Sequence, residues 1–487
     1  IIFFLIIVLI LIFLFIYYRF TYWSRCGIPG RKPKFPNGNL SGTKNTAIIF
    51  DEVYQEFKHQ GPIVGFYFSL NPTAIITNAE LIKLILVKDF SHFHGRGLYY
   101  NERDDPLSAH LFAIDGIKWR NLRTKLTPTF TSGKMKMMFP AIVDVAKQLD
   151  EYLTEEIKVE KETEMREILA KFNTDVIGSC AFGIECNSLK NPDSEFRKMG
   201  RKIFEPDQTN IIIRRIRTVF PELAKMLRIK LVDESVSKFF IDVISKTIKF
   251  REEANIQRND FIDLMMKMKN SGDENESLTI NEISAHAFLF FLAGFETSAT
   301  NMFYLLYELA QNSDIQDKAR DCIRKVLEKH DGKLTYEGIL EMNYVENCIK
   351  ESLRMYPPAP MLFRQVTKAY KIPKTEITLP KGMTIAIPVY SIHRDPEYYP
   401  NPTVFDPNRF SDSSCMDSLY LPFGEGPRNC IGDRFGMMQS RIGIITLLQS
   451  FKFSLSPRTK TPIVLHPRSF FLRPTDPIWF NIEKLSK

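Results

Sequence analysis

The stretch Pro422-Phe423-Gly424-Glu425-Gly426-Pro427-Arg428-Asn429-Cys430-Ile431-Gly432 decides the fold of this chain. It ends an irregular segment and is followed by a helical pattern that continues to Gln439, so we expect Cys430 at a helix N-terminus. The partial positive charge and free amides of a helix N-terminus favour a thiolate over a thiol. Gly424 and Gly426 allow the backbone to wrap tightly round a sulfur atom and to lie against a flat ligand. The stretch therefore predicts a loop built to present a cysteine thiolate to a metal.

This loop has two other interpretations. A buried free cysteine beside a glycine-rich turn is the simplest one, because free cysteines are among the most buried residues. A phosphate-binding loop does not fit, because neither Lys-Ser nor Lys-Thr follows the glycines.

The spacing Phe423-x-x-Gly426-x-Arg428-x-Cys430-x-Gly432 resembles the haem-binding signature of the cytochrome P-450 superfamily at every fixed position. The resemblance implies haem b as cofactor, Cys430 as the axial iron ligand, Phe423 against the haem and Arg428 on a propionate. It also implies a mainly helical α+β fold with a long central helix, a small β-rich subdomain and an N-terminal membrane anchor. His393 is the one histidine considered as a rival ligand, but the Asp395-Pro396 turn behind it favours a structural role.

A second motif lies on the predicted central helix. Thr279 and Glu282 form a capping box that opens a helix running to about Asn312. Within it, Ala293-Gly294-Phe295-Glu296-Thr297 resembles the oxygen-activation motif of the family. The Thr297 hydroxyl can bond back to the carbonyl of residue 293 and open a groove for dioxygen. The resemblance implies that Thr297 stabilises activated dioxygen, that Glu296 relays protons, and that Gly294 permits close approach to the haem.

Several positively charged or indole side chains complete the resemblance. Trp119 and Arg123 share a helix face and are assigned to a haem propionate, as is Arg364 in Phe363-Arg364-Gln365. A surface arginine remains the alternative at position 364. Glu351 and Arg354, together with Arg409 downstream, match the buried structural triad of the family, although Asn408 stands where a Glu is common.

Composition and charge restrict the class of protein. The chain has 487 residues, 65 Lys and Arg against 57 Asp and Glu, and a net charge of +8 spread along its length. We find neither a basic stripe with interleaved aromatics nor a nucleic-acid module, so nucleic-acid binding is not expected. The odd number of cysteines, 7, and the lack of a C-x-x-C pair favour a reducing compartment.

The N-terminal region predicts attachment to a membrane. Residues 1–18 are apolar and aromatic throughout, and the length of this run is about the minimum for a membrane span. No small-residue cleavage site follows it. Because the sequence begins without Met, further residues before Ile1 are expected. A basic, Pro- and Gly-rich linker at 19–42 predicts that the catalytic domain, 43–487, lies in the cytosol. The family resemblance implies that the membrane is that of the endoplasmic reticulum.

Strand and loop signals surround a helical majority. Ile63–Phe68 and Ala74–Thr77 flank Asn71-Pro72 and predict a hairpin, and Glu376–Leu379 with Thr384–Pro388 predict a similar strand pair. A polar loop is expected at Asn270–Asn281. Strands segregated from helices are typical of an α+β architecture.

The predicted function is monooxygenation, in which one atom of dioxygen enters a lipophilic substrate. The resemblance implies electrons from NADPH through NADPH-cytochrome reductase, with cytochrome b5 as a second partner. The mild positive charge would suit an acidic reductase. Two alternatives were considered: an isomerase of preformed peroxides, and a membrane-tethered haem sensor. The acid and alcohol of Glu296 and Thr297 argue against both.

Substrate predictions rest on apolar side chains in regions that line pockets in the family: Leu107–Phe112, Phe288, Phe291, Leu292, Met361 and Ser469–Phe471. Ordinary core packing is the alternative for each phenylalanine. Ile203–Leu231, apolar with interspersed arginines, is expected to shape the substrate entrance and to touch the bilayer. Phe172–Gly178 and Thr131–Met135 resemble microsomal insect family-six members, many of which oxidise plant toxins and insecticides.

Overall fold

The computed structural model describes residues 2–191, 193–204, 210–258, 260–269, 277–412 and 419–486. Of the polar loop predicted at 270–281, residues 270–276 lie outside these ranges, as do residues 205–209 of the predicted entrance segment.

Helices form most of the described chain. In chain order they are α1 Ile2–Phe20, α2 Tyr22–Arg25, α3 Thr46–Phe57, α4 Ala79–Lys83, α5 Gly116–Leu126, α6 Ser132–Val159, α7 Met165–Ile177, α8 Glu195–Phe204, α9 Ile211–Val219, α10 Pro221–Met226, α11 Glu234–Glu253, α12 Phe261–Lys269, α13 Ile280–Gln311, α14 Ser313–Lys329, α15 Tyr336–Glu341, α16 Asn343–Met355, α17 Val389–Ile392 and α18 Asp433–Ser450.

The predicted central helix is confirmed as α13, which has 32 residues and is buried along most of its length. The Thr279 hydroxyl accepts a hydrogen bond from the Glu282 amide, and the Glu282 carboxylate accepts one from the Thr279 amide, so the capping box is complete. Helices α7, α11, α16 and α18 pack against it. A helix that is apolar on all sides has to be enclosed by others, and α13 is therefore the axis of the core.

The strands form three small sheets. They are β1 Ile63–Phe68, β2 Asn71–Ile76, β3 Glu162–Glu164, β4 Leu362–Gln365, β5 Tyr370–Lys371, β6 Thr378–Leu379, β7 Thr384–Ile387, β8 Phe451–Leu455 and β9 Trp479–Lys484. The strand orders are β1-β2-β7-β4, β3-β9-β8 and β5-β6. The predicted β1–β2 hairpin is confirmed, with Ile63 opposite Ile76, but Asn71 and Pro72 lie inside β2 rather than in the turn.

The prediction that Glu376–Leu379 pairs with Thr384–Pro388 is wrong. The first segment contributes β6, which pairs with β5, whereas the second contributes β7, which lies between β2 and β4. Ile385, Ala386 and Ile387 are fully buried, so β7 is covered by the core and takes the central place in its sheet. The turn before it bends back at Gly382, whose amide donates to the Val366 carbonyl at 2.7 Å.

The segment that follows α1 packs against the catalytic domain. No residue of α1 is buried, but Trp23 is 3% exposed and its indole nitrogen donates to the Phe66 carbonyl at 2.9 Å. A side chain at Gly65 would lie 2.4 Å from the Trp23 ring. The first part of the basic 19–42 segment is thus fixed on β1.

Candidate active site at the Cys430 loop

The loop before α18 has a backbone that depends on glycine. A single 3-10 turn at Gly426–Arg428 precedes Cys430, whose amide donates to the Phe423 carbonyl at 2.8 Å. Gly424 and Gly426 have φ angles of +69° and +73°, in the region that favours glycine. A Cβ atom at Gly426 would lie 1.9 Å from the Leu86 carbonyl oxygen. The chain can follow this path only without a side chain at 426.

Cys430 lies just before α18, as the sequence predicts, and solvent reaches its side chain. The protein around the thiol still desolvates it and so raises its pKa, as does Asp433, while the Gly432 amide, Arg123 and Arg96 lower it. The electrostatics of the helix N-terminus are therefore outweighed by desolvation. A bound cation would change the balance, because a coordinating thiol is deprotonated by the metal itself.

A cluster of buried arginines lies beside the loop. Arg364 and Arg428 are each 2% exposed, and Arg96 donates to the Arg428 carbonyl at 3.3 Å. Burial, with repulsion from Arg428, lowers the pKa of Arg364 to about 10; burial also lowers the pKa of Arg428 to about 10. The carboxylate that pairs with Arg428 is Asp115, at 2.7 Å.

These arginines retain unused hydrogen-bond donors. Within the described part of the chain, Arg364 Nε and Arg428 Nε and Nη1 are buried without a partner. Leaving a charged donor unpaired inside a protein is costly. The cluster therefore has the chemistry of an anion-binding site, and the carboxylates of haem propionates fit it.

Trp119 and Arg123 extend from α5 towards the same loop. The Trp119 ring is buried and lies 4.2 Å beneath the Arg428 guanidinium. Arg123 donates to the Asn429 carbonyl at 2.9 Å and to the Asn429 side chain at 2.7 Å. Both predicted residues thus reach the loop, where Trp119 orients Arg428 and Arg123 fixes the residue before the cysteine.

The middle of α13 has an opening of its own. The Thr297 hydroxyl donates to the Ala293 carbonyl at 2.5 Å, which is the bond that the sequence predicts. Ala293 is exposed although Phe291 and Phe295 beside it are buried. At Gly294, a Cβ atom would lie 2.3 Å from the Ile177 side chain of α7. The glycine therefore allows close packing of α7, while the Ala293 and Thr297 side is left uncovered.

Glu296 points to a different partner from Thr297. Its carboxylate is 2.5 Å from the Arg166 guanidinium of α7, and the pair borders a cavity of about 10 Å³ together with Arg473. That volume is close to the smallest that holds one water molecule. Burial and the nearby Arg166 lower the pKa of Arg473. Arg166 was missed in the sequence because no local pattern connects residues 130 positions apart.

The predicted triad is assembled. Arg354 makes two bonds to Glu351, at 2.7 and 2.8 Å, and Arg409 approaches the same carboxylate at 3.2 Å. Glu351 and Arg354 are fully buried. A third Arg354 bond, to the His393 carbonyl at 2.7 Å, extends this network towards the segment before the cysteine loop.

His393 uses both ring nitrogens within the protein. Nδ1 lies 3.1 Å from the Arg354 carbonyl, and Nε2 accepts from the Leu421 amide at 2.9 Å. Burial lowers the pKa of His393 to about 3. The imidazole thus connects the triad to the start of the cysteine loop and is not presented to a ligand.

The aromatic residues predicted to line a pocket divide between the core and the surface. Phe288 and Phe291 are buried and pack on Phe240, with ring centroids 5.2 and 5.1 Å apart. Met361 is also buried, whereas Phe112 is 48% exposed under the Arg96 guanidinium. The local sequence pattern does not distinguish an aromatic side chain in the core from one on the surface.

Comparison with known proteins agrees with this geometry. The sequence model of the cytochrome P450 family matches residues 28–481. Among curated proteins, cytochrome P450 6A1 of Musca domestica is 44% identical over 483 residues, covering 96% of this chain and 95% of the relative. Cytochrome P450 6a2 of Drosophila melanogaster is 42% identical over 501 residues, covering 99% of both.

A cysteine loop, a buried cationic cluster for an anionic cofactor and an opened central helix define a haem-thiolate oxidoreductase. The chain belongs to the cytochrome P450 family. It is a monooxygenase that binds haem b, as the sequence predicts.

Proposed function

We propose that Cys430 is the axial ligand of the haem and that the chain oxidises lipophilic foreign compounds, such as insecticides and plant toxins. The observation that carries the cofactor site is the excess of buried guanidinium groups beside a cysteine loop that requires glycine at 426. Haem b bound there supplies the reductive activation of dioxygen and the insertion of one oxygen atom into the substrate.

The residues have separate tasks in this proposal. Arg364 and Arg428 bind the propionates, with Trp119 holding the Arg428 guanidinium and Phe423 supporting the loop. Arg123 fixes Asn429 and so the direction of the Cys430 side chain. Thr297 holds the α13 groove open through its bond to the Ala293 carbonyl, which leaves its hydroxyl oxygen to accept a hydrogen bond in the groove, and Gly294 allows the helix to pack closely. Glu296 carries protons from the Arg166 side of α13 to that groove.

The ligand is tested by the absorption of the dithionite-reduced protein with carbon monoxide. We expect the far-red-shifted band of a thiolate-ligated haem, and its replacement in Cys430→His by the band of imidazole-ligated haem. Cys26→Ser, at another exposed free cysteine, is the matched control and should leave the band unchanged. An imidazole-type band in the unmodified protein would contradict the proposal.

Electrons are proposed to come from NADPH-cytochrome reductase, with cytochrome b5 as a second donor, docking over the Cys430 side. Arg120 on α5 and Arg434 on α18 are exposed on the two helices that hold the loop. Charge reversal at both positions should slow the first electron transfer and reduce its salt dependence. Lys374→Glu, on the β5–β6 hairpin, is the control. A rate that is insensitive to salt would argue against electrostatic docking.

The membrane attachment is proposed to include more than α1. Exposed apolar residues on α9 and α10 continue its surface: Ile212, Phe220, Leu223, Met226 and Leu227. The Phe15 and Phe220 rings stack at 6.2 Å, which places both surfaces side by side. We assign the chain to the endoplasmic reticulum, with residues after 18 facing the cytosol. Protease added to intact microsomes should then digest the body, and protection of the body would refute this orientation.

The substrate class is tested by a spin-state titration. Members of a panel of lipophilic insecticides and plant toxins should shift the haem spectrum at micromolar concentrations and accelerate NADPH consumption with purified reductase. If the panel gave no shift while a single steroid did, a biosynthetic role would replace detoxification.

A further inference from the structure

Gln439 joins three core helices through one side-chain amide. It lies on α18 and is fully buried, as is Asn173 on α7. Its Nε2 donates to the Asn173 Oδ1 at 2.5 Å and to the Gly294 carbonyl of α13 at 3.2 Å. The helix that follows the cysteine loop therefore contacts the backbone of the central helix at its glycine.

This contact is next to the α13 opening. The Ala293 carbonyl accepts from Thr297 and the next carbonyl, at Gly294, accepts from Gln439. Consecutive carbonyls of a helix lie about 100° apart, because there are about 3.6 residues in a turn. A side-chain donor tilts a carbonyl away from the axis and loosens the ladder locally. The opening thus has two supports, one within α13 and one from α18.

A contribution to stability does not explain why amide side chains occupy positions 173 and 439. Within the described ranges, Asn173 Nδ2 and Gln439 Oε1 are buried without a hydrogen-bond partner. Each such group costs about 1–3 kcal/mol, and a half-satisfied polar network is less stable than apolar side chains of the same shape. Apolar residues at 173 and 439 would therefore serve the core at least as well as the amides do.

We propose that Gln439 is a positioning residue, which holds the Gly294 carbonyl and thereby sets the shape of the α13 groove at Ala293 and Thr297. The inference rests on the proposed function, since it takes the haem to lie between Cys430 and this groove. Helix α18 then determines both sides of the site, the ligand loop through its N-terminus and the groove through Gln439.

The test compares Gln439→Met, which keeps the volume and removes the amide, with Ser440→Ala. Ser440 is the next residue of α18, and its hydroxyl accepts a hydrogen bond from Asn301 of α13 at 3.4 Å. This bond joins the same two helices at a point further along α13. The readouts are the infrared stretch of carbon monoxide bound to the reduced haem, the share of NADPH electrons released as peroxide, and the melting temperature of each variant.

In Gln439→Met we expect a shifted or broadened carbon monoxide stretch. Because this substitution leaves the buried Asn173 amide without a partner, the melting temperature should fall in Gln439→Met and recover in the double variant Asn173→Leu with Gln439→Met. Peroxide release should rise by roughly twofold or more, because small misplacements of catalytic groups are expensive in rate. Ser440→Ala should leave the stretch unchanged. Asn173→Leu, which frees the Gln439 amide, should move the stretch in the same direction and provides a second variant.

An unchanged stretch in both Gln439→Met and Asn173→Leu would overturn the inference. Equal spectral changes in Ser440→Ala would also overturn it, because that pattern marks general loosening of the core. These outcomes are separate from failure of the proposed function, which the reduced absorption band of the unmodified protein and of Cys430→His reveals before any α18 variant is made.

Discussion

At the level of single residues, the site depends on the absence of a side chain at Gly426 and on an excess of positive charge around Arg428. Gly426 has room for a hydrogen and for nothing larger. Arg364, Arg96 and Arg428 concentrate positive charge where burial alone would oppose it. The unpaired buried charge lowers the stability of the chain by itself, and in the proposed function both features serve to hold an anionic, flat cofactor.

We expect Gly426→Ala to abolish haem incorporation. The new methyl group would lie 1.9 Å from the Leu86 carbonyl oxygen, and the left-handed backbone adds about 1–2 kcal/mol for any residue with a Cβ atom. The measurement is the ratio of haem absorbance to protein after purification. Gly436→Ala, on α18, is the matched control, because its Cβ would meet only the Ser298 hydroxyl at 3.7 Å. Normal haem content in Gly426→Ala would refute the argument.

At the element scale, the site is held by contacts between segments that are far apart in sequence. Helix α5 reaches the loop through Arg123, and α16 reaches the segment before the loop through Arg354 and His393. Helix α7 reaches α13 through Arg166. The loop is therefore rigid because separate elements hold its ends.

Glu351→Gln should destabilise the chain by about 3–5 kcal/mol, because it leaves Arg354 buried without its carboxylate. The free energy of unfolding in urea measures this effect, and the substitution keeps the shape of the side chain. Asp321→Asn on α14 breaks the exposed pair with Arg324, 3.3 Å apart, and should cost less than about 1 kcal/mol. Equal effects of the two substitutions would show that burial of the triad contributes nothing.

At the scale of the whole molecule, three buried histidines connect stability to pH. Burial lowers the pKa of His110 to about 4 and those of His286 and His393 to about 3. Below the ordinary pKa of 6.5, the unfolded chain binds protons that the folded chain does not. Stability should therefore fall as the pH drops from 6.5 towards 4, by up to about 1.4 kcal/mol per pH unit for each histidine.

The prediction is checked with His286→Gln. Its free energy of unfolding should depend less steeply on pH between 6.5 and 4.5 than that of the unmodified protein, by up to about 1.4 kcal/mol per pH unit. The control is His59→Gln, since the His59 side chain is 71% exposed. Parallel pH curves for His286→Gln and the unmodified protein would exclude this source of acid sensitivity.

The boundary between anchor and body can be tested by truncation. Removal of residues 2–20 should leave a folded, haem-binding chain, because no residue of α1 is buried. Removal through Gly30 also deletes Trp23, and loss of a buried Trp side chain costs about 3–5 kcal/mol. Thermal unfolding of the two truncated proteins should differ accordingly. Equal stabilities would mean that the Trp23 contact with β1 contributes nothing.

Features that depend on neighbours along the chain could be predicted from the sequence: the α13 capping box, the Thr297 back-bond, the β1–β2 hairpin and the spacing of the cysteine loop. Each is set by residues within a few positions of one another, where backbone geometry leaves few alternatives. The family also followed from this spacing, and the comparisons confirm it.

Only the tertiary structure decided which distant groups meet. The place of β7 between β2 and β4, the pairing of Glu296 with Arg166, and the contact of Gln439 with Gly294 all join residues separated by more than 100 positions or by a strand crossing. No local pattern encodes such partners, because a carboxylate or an amide can bond to any donor that the packing of the helices brings within about 3 Å. That packing is a property of the whole core.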